Sequence, residues 1–363
     1  MPSQLPDPRQ YPALLASNRL IHHAVSALDA KTDADAGSWR EGLRLALGDV
    51  LKRDDMLTLS VALAMAPSAA AYRELWQALR AAVEQADGRH VVLFAMPLVL
   101  VAAADGEVSL PAEIGDAAGL NALLRQHAVF SPGAEVWLGG ALLHPDTLSE
   151  ISAGQIYRAT HEAAGMMDAL PANLAGRAVT VHKDGVFLRY LLGVAIQEEG
   201  RPSALKLGGA VGAWGLPLMK FLGEQLKTSG LNLFPIARPP QMLMQAMVEG
   251  GKARHEVALQ AFASSQIRRL RDKSLTPVAV LAAHSGGELR FTLSAVSGEG
   301  ADEGFVWTLS PLDSVPAIET MVRELMAECQ VEDVRIVTGL MAEEQQGERL
   351  FLHAGNTASA AAH

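Results

Sequence analysis

Fourteen consecutive residues, 91–104 (VVLFAMPLVLVAAA), carry neither a charge nor a hydrogen-bonding side chain. As a helix the run falls short of the roughly 20 apolar residues needed to span a bilayer. Rich in Val and Leu, and followed by the loop sequence DGEVSLP, it reads instead as a strand covered on both faces and its continuation. A strand of that kind needs packed layers on either side of its sheet. The expected class is therefore α/β, with α+β as the alternative.

The sequence on either side supplies those layers. Within residues 11–87, Leu14, Leu15, Leu20, Ile21 and Val25 recur at helical spacing. Ser38 followed by Glu41 makes a capping-box pattern. Ala66-Pro67 breaks a helical hairpin whose second arm presents Tyr72, Leu75, Leu79 and Val83 on one face. Downstream, strands are expected at 135–143, 179–182, 186–197, 231–237, 277–283, 288–296, 305–309 and 333–340. Helices are expected near 117–129, 214–228 and 316–330, with another opened by Pro239-Pro240 and interrupted at Gly250-Gly251. Lys183-Asp184-Gly185 predicts a hairpin turn between two of the strands. The resulting organisation is a helical module 1–87, a first α/β unit 88–200, a second α/β region 201–353 and a disordered tail 354–363.

An offset of 198 positions lays residues 119–143 on 317–341 without a gap. Arg125 then meets Arg323, Val136 meets Val334, and Leu142 meets Leu340; upstream, LFAMPL resembles WTLSPL, with the intervening loop longer in the first copy. Each copy reads as strand, Pro-containing turn, helix, strand, which predicts repeated β-α-β units in mixed sheets.

Four blocks in order carry a resemblance: LFAMPLVLVAA leading to LPAEI, then GGALLHPDTLSEI, FLRYLLGVAI and FVWTLSPL. Over about residues 90–340 the chain resembles an uncharacterised family of bacterial proteins of unknown function. The resemblance implies the fold outline and carries over no functional residue. The family's typical cysteine pair near the C-terminus has no counterpart, since Cys329 stands alone.

Composition narrows the function classes. Hydrophobic residues make up 49% of 363 and charged ones 19%, as befits a large core. Thirty basic against forty acidic side chains give a net charge of −10, which disfavours a DNA-binding role. A single cysteine excludes an intramolecular disulfide and any multi-cysteine metal site. MPSQLPDPRQYP lacks the charged and apolar regions of a secretory signal, so the expected compartment is the cytoplasm, with no membrane association.

Two segments stand out as candidate sites. Gly209, Gly212 and Gly215 recur every third residue around Trp214 just before a helix, where backbone N–H groups favour an anion. No Gly-Lys-Ser/Thr follows, so the segment also reads as a connector. Arg268, Arg269, Arg271 and Lys273 close a long helix, either as a basic patch or as cations opposing its dipole. His22-His23 point about 100° apart on a helix and make a poor metal pair. His144, Asp146, His161 and Glu162 match no metal motif, and His284-Ser285 lacks the G-x-S-x-G of a nucleophile. The leading expectation is a non-enzymatic protein-interaction or accessory protein that self-associates and needs no cofactor. The alternative is a small-molecule or nucleotide-binding protein, or an enzyme, using residues 208–215.

Overall fold

The computed structural model describes residues 12–84, 89–104, 106–162, 174–176, 178–181, 185–198, 200–205, 211–284, 287–300, 303–341, 344–345, 348–349, 351–353 and 355. The chain divides into two compact units, Met1–Lys252 and Ala253–His363. That division falls inside a helix, whereas the sequence suggested breaks after residues 87 and 200. Tail residues 354–363 lie outside the described residues apart from Gly355.

Unit 1 begins with four helices: α1 (Pro12–Asp29), α2 (Asp33–Lys52), α3 (Met56–Ala64) and α4 (Ala69–Glu84). Each start after the first is fixed by a short polar side chain. Thr32 accepts the Asp35 N–H at 3.1 Å, Asp55 the Thr58 N–H at 3.1 Å, and Ser68 the Ala71 N–H at 3.1 Å. Ser38, the cap suggested by sequence, lies within α2 instead, because Thr32 begins the helix a turn and a half earlier. Ala66-Pro67 does separate α3 from α4.

The apolar run becomes β1 (Arg89–Ala104). There follow β2 (Val108–Leu110), α5 (Ala117–Gln126), β3 (Glu135–Leu138), α6 (Pro145–Ser149), α7 (Ala153–His161), β4 (Val179–Val181), β5 (Gly185–Glu198), α8 (Val211–Gln225), β6 (Leu231–Ala237) and β7 (Gln241–Met242). The main sheet has the order β3-β5-β1-β6, with β7 pairing β1 beyond the end of β6, and every pairing is antiparallel.

Cross-strand partners share a face, so the register sorts the side chains. Phe94, Met96, Leu98 and Leu100 face one way with Leu191 and Ala195, and pack under Leu120 and Leu124 of α5 and Trp214, Leu218 and Leu222 of α8. α4 and α7 lie against β1 as well. Burial on both faces explains why β1 shows no polar alternation.

The expected hairpin at 179–197 does not form. β4 pairs β2, and β5 pairs β1 and β3. Of the proposed turn, Lys183 and Asp184 lie outside the described residues and Gly185 opens β5. Fourteen residue pairs along β1 and β5 stabilise far more backbone than a local Asp-Gly turn can.

α9 (Leu243–Asp272) is continuous through Gly250-Gly251 and crosses the boundary between the units. Gly250 is needed for space: a Cβ there would lie 2.8 Å from the Tyr190 hydroxyl. Unit 2 continues with β8 (Val278–His284), β9 (Glu288–Ser294), β10 (Gly304–Thr308), α10 (Val315–Glu328), β11 (Val334–Met341) and the short pair β12 (Glu344–Gln345) and β13 (Glu348–Arg349). Its sheet has the order β10-β9-β8-β11, in which β11 is parallel to β8 and the other pairings are antiparallel. Leu281, Phe291 and Trp307 pack there with Leu259 and Ala263 of α9 and Val322 and Met326 of α10.

A mixed α/β class is thus observed. The offset segments share a helix phase: Leu120 and Leu124 are buried, as are Ile318 and Val322, while Arg125 and Arg323 are exposed. Their strands differ. β3 runs antiparallel to its neighbour β5, and β11 runs parallel to its neighbour β8. β1 and β3 enclose one strand between them, whereas β10 and β11 enclose two.

Candidate functional site

The sheet of unit 1 ends on β6, and the backbone geometry there follows from two prolines. Arg238 N–H donates to Pro97 C=O at 3.0 Å, and Pro97, in the middle of β1, has no N–H to return. On its other side Pro97 faces Tyr190, whose own N–H and C=O bond to Leu143 at 2.9 Å. The missing donor therefore falls where the chain leaves β6, the one side on which β1 can spare it.

Hydrogen bonding alternates along an antiparallel pair. Because Arg238 points its N–H at β1, Ile236, Phe234 and Asn232 do likewise. Leu231, Leu233, Pro235 and Ala237 direct their backbone away from the sheet. Pro235 sits in this outward set, where it interrupts no ladder bond, which suits an edge strand. Leu231 N–H is taken by Thr228 C=O at 3.2 Å. With Leu231 bridged to Thr228, the outward edge is left with the Leu233 and Ala237 N–H groups and the carbonyls of Leu233, Pro235 and Ala237.

α8 runs beside this edge and leaves a groove of about 830 Å3, lined by Met219, Lys220 and Glu224 from the helix and Leu233, Phe234 and Pro235 from the strand. Leu231 and Leu233 share the α8 side of the sheet with Ala102. Phe234 and Ile236 project from the opposite side and are 59% and 50% exposed. They continue an apolar row, since Phe234 pairs Val101, which pairs Val186 (itself 41% exposed), and Ile236 pairs Val99, which pairs Leu188. Lys220 is exposed and has no ion pair among the described residues. Lys227 reaches Glu224 at 4.0 Å.

At the other flank of β5 a buried cation proves to be structural. Arg189, 4% exposed, donates from Nη1 to Leu188 C=O at 2.7 Å, and burial pulls its pKa down. Leu188 points its carbonyl away from β1, past the end of β3, so the guanidinium closes an edge acceptor that no strand reaches.

The sequence-suggested sites are placed differently. Gly209 lies outside the described residues, and Gly212, Trp214 and Gly215 belong to the first turns of α8 rather than to a loop. Trp214 is 3% exposed and packs in the core. The basic helix end is engaged locally. Arg269 pairs with Glu303 at 3.2 Å, Lys273 with Glu299 at 2.8 Å, and Arg271 donates to the Cys329 and Gln330 carbonyls at 2.8 and 3.2 Å. Arg268 is exposed and borders a cavity of about 410 Å3 with Ile267, Arg271 and Cys329. Burial pushes the Cys329 thiol pKa up, away from a reactive thiolate.

The histidines are spread out. His22 and His23 pack on Trp39 with ring centroids 5.4 and 5.6 Å away, and burial lowers the His23 pKa. His144 accepts the Asp146 N–H at the start of α6, at 3.2 Å, and His161 stacks on Tyr157 at 4.0 Å. His284 is buried opposite Glu288 in the β8–β9 ladder, and Ser285 lies outside the described residues. Among the described residues, no three His, Cys, Asp or Glu side chains are grouped to hold a metal ion, and no helix is long and apolar enough to cross a membrane.

The β6 groove was not singled out from sequence. Its one local signal is Pro235 inside a mostly apolar strand, a mark of an edge. Comparison with protein-family models, with curated proteins and with solved structures found no match to this chain.

Proposed function

We propose that this chain is a cytoplasmic binding protein that captures an extended segment of a partner polypeptide along β6, in the groove beside α8. One observation carries this reading: outward-facing backbone donors and acceptors lie on an edge strand with a helix forming the opposite wall. A strand added there takes its affinity from main-chain hydrogen bonds and its specificity from alternate side chains. One set of ligand side chains enters the groove between Met219 and Leu233. The other set lies beside Phe234 and Ile236, and covering those two half-exposed residues contributes about 1 kcal/mol each. Lys220 favours an acidic residue or a terminal carboxylate at its end of the groove. The shared helix phase of 119–143 and 317–341 supports a common origin for the two segments, and the blocks between about 90 and 340 support kinship with the bacterial family they resemble.

Selection from a displayed random-peptide library against the purified protein tests the proposal. Enriched peptides should be apolar at alternate positions and lose binding when alternate backbone nitrogens are methylated. Leu233→Pro, which removes one outward donor, should weaken them, with circular dichroism and thermal melting separating loss of the donor from loss of fold. Failure to enrich any peptide, or binding indifferent to both changes, would refute the reading.

A further inference from the structure

We infer that Arg19, His22 and His23 of α1, with Trp39 of α2, form a surface site for a small phosphate monoester whose organic group is planar and apolar. The site lies in the helical module, away from β6, and does not depend on peptide capture.

Positions 19, 22 and 23 are spaced i, i+3 and i+4, so the three basic side chains share one side of α1. Arg19 and His22 are exposed, and among the described residues none of the three has an ion pair or a side-chain hydrogen bond. Their surroundings make this unusual. Arg40, Arg44 and Arg80 on the neighbouring helices each hold a carboxylate, at 2.7, 2.8 and 2.9 Å. In a chain of net charge −10, basic groups left together without an acid leave room for an anion from outside.

α2 supplies the floor and one wall. Gly42 faces His23, and a Cβ on it would lie 3.0 Å from Cε1 and 3.1 Å from Nδ1. Glycine weakens a helix interior, and here it lets the imidazole lie flat against α2. Nδ1 is buried there without a hydrogen-bond partner, whereas Nε2 is not buried. Burial and the charges of Arg19 and His22 lower the His23 pKa, which keeps the ring uncharged near neutral pH. With no acceptor beside Nδ1, the ring hydrogen belongs on Nε2, where it faces outward as a donor. Trp39, 36% exposed, stands 5.4 and 5.6 Å from the two imidazoles, which are 6.2 Å apart.

The donor set selects the ligand. The Arg19 fork alone saturates a carboxylate, which would leave both imidazoles idle. A phosphate monoester carries three terminal oxygens and a charge of about −1.5 to −2, enough for the guanidinium and two ring N–H groups together. Trp39 beside them offers an aromatic surface to a planar substituent. A metal cation fits worse, because Arg19 repels it and the bare lone pair of His23 is the buried one.

The probe is phenyl phosphate, titrated into the full chain at constant ionic strength while the histidine Cε1–H resonances are followed by NMR. His22→Gln and His23→Gln assign the two signals. Both should shift together and saturably, and inorganic phosphate and benzoate should each bind the same place several-fold more weakly. Arg19→Gln should raise the phenyl phosphate dissociation constant by about tenfold or more. Arg44→Gln, which removes an arginine already paired with Glu41, should leave it unchanged. Both positions are exposed, and thermal melting verifies that the fold is retained. Absent or non-saturating shifts overturn the inference. So do equal losses in the two arginine variants, which would mean general screening, and benzoate binding as tightly as phenyl phosphate.

Discussion

Gly193 gives a direct measure of how closely the unit 1 core is packed. It stands opposite Phe94 in the β1–β5 ladder, and a Cβ placed on it would lie 2.2 Å from Phe94 Cζ and 2.6 Å from Cε1. Carbon atoms rest at about 3.5–4.0 Å, so the ring would have to retreat by roughly an ångström or more. It has little room, being fully buried with the Phe130 ring centroid 5.7 Å away. Overpacking of this kind costs about 1–3 kcal/mol. Removing a glycine from a strand returns about 0.5–1 kcal/mol. Gly193→Ala should therefore destabilise by a net of about 1–2 kcal/mol. Phe94→Ala alone should cost about 3–5 kcal/mol. In the double variant the new methyl enters the vacated space, so its loss should fall short of the sum by about 1 kcal/mol or more. Urea titrations of the four proteins measure this as midpoint shifts at constant slope. A Gly193→Ala midpoint equal to that of the parent, or strict additivity in the cycle, would refute the account of Gly193 as space for the ring.

Neighbouring glycines in α9 should respond oppositely. Gly251→Ala meets nothing within 4 Å and should stabilise by about 0.5–1 kcal/mol, whereas Gly250→Ala runs into the Tyr190 hydroxyl and should be less stable than Gly251→Ala in the same melt. Burial pushes the Tyr190 pKa up to about 12, with Arg238 opposing and Glu249 reinforcing. A raised folded-state value means the contribution is complete below the ordinary tyrosine pKa near 10 and is lost as pH climbs through 12, on the order of 2–3 kcal/mol in all. Alkaline unfolding followed by tyrosinate absorbance should show this, and Tyr190→Phe should flatten the pH dependence. In unit 2, Arg271→Gln should cost about 0.5–1.5 kcal/mol by freeing two carbonyls at the end of α10. Arg268→Gln should be close to neutral. Equal losses in thermal denaturation would contradict the distinction between these two arginines.

What the sequence made legible was the phase of local elements. β6 falls at the expected residues, and α5 and α10 form close to the expected spans. Pairing was less accessible. Asp184-Gly185 is a strong local turn signal, yet β5 finds its partners in β1 and β3, because ladder energy accumulates with length and a turn's does not. The glycine spacing at 209–215 suggested a loop, but residues from Val211 onward continue as helix, with Trp214 anchored in the core. Gly250-Gly251 suggested a helix break because composition cannot reveal that a distant tyrosine requires the first of the pair to lack a side chain. The groove depends on which strand ends the sheet, a property of long-range topology of which Pro235 is the only local trace.

The proline in the middle of β1 has a consequence for how the sheet assembles. The largely apolar β1 could slide by two positions against β6 and still bury the same faces. Side-chain chemistry would hardly register the error. Pro97 does. In the native frame its absent hydrogen meets Arg238, where the chain is already turning out of the sheet. Shifted by two residues it would meet Ile236 instead, stranding a carbonyl in mid-ladder at about 1–3 kcal/mol. An imino acid that looks like a defect in the longest strand thus proofreads that strand's alignment with β6, penalising a slip that its apolar side chains there would otherwise tolerate.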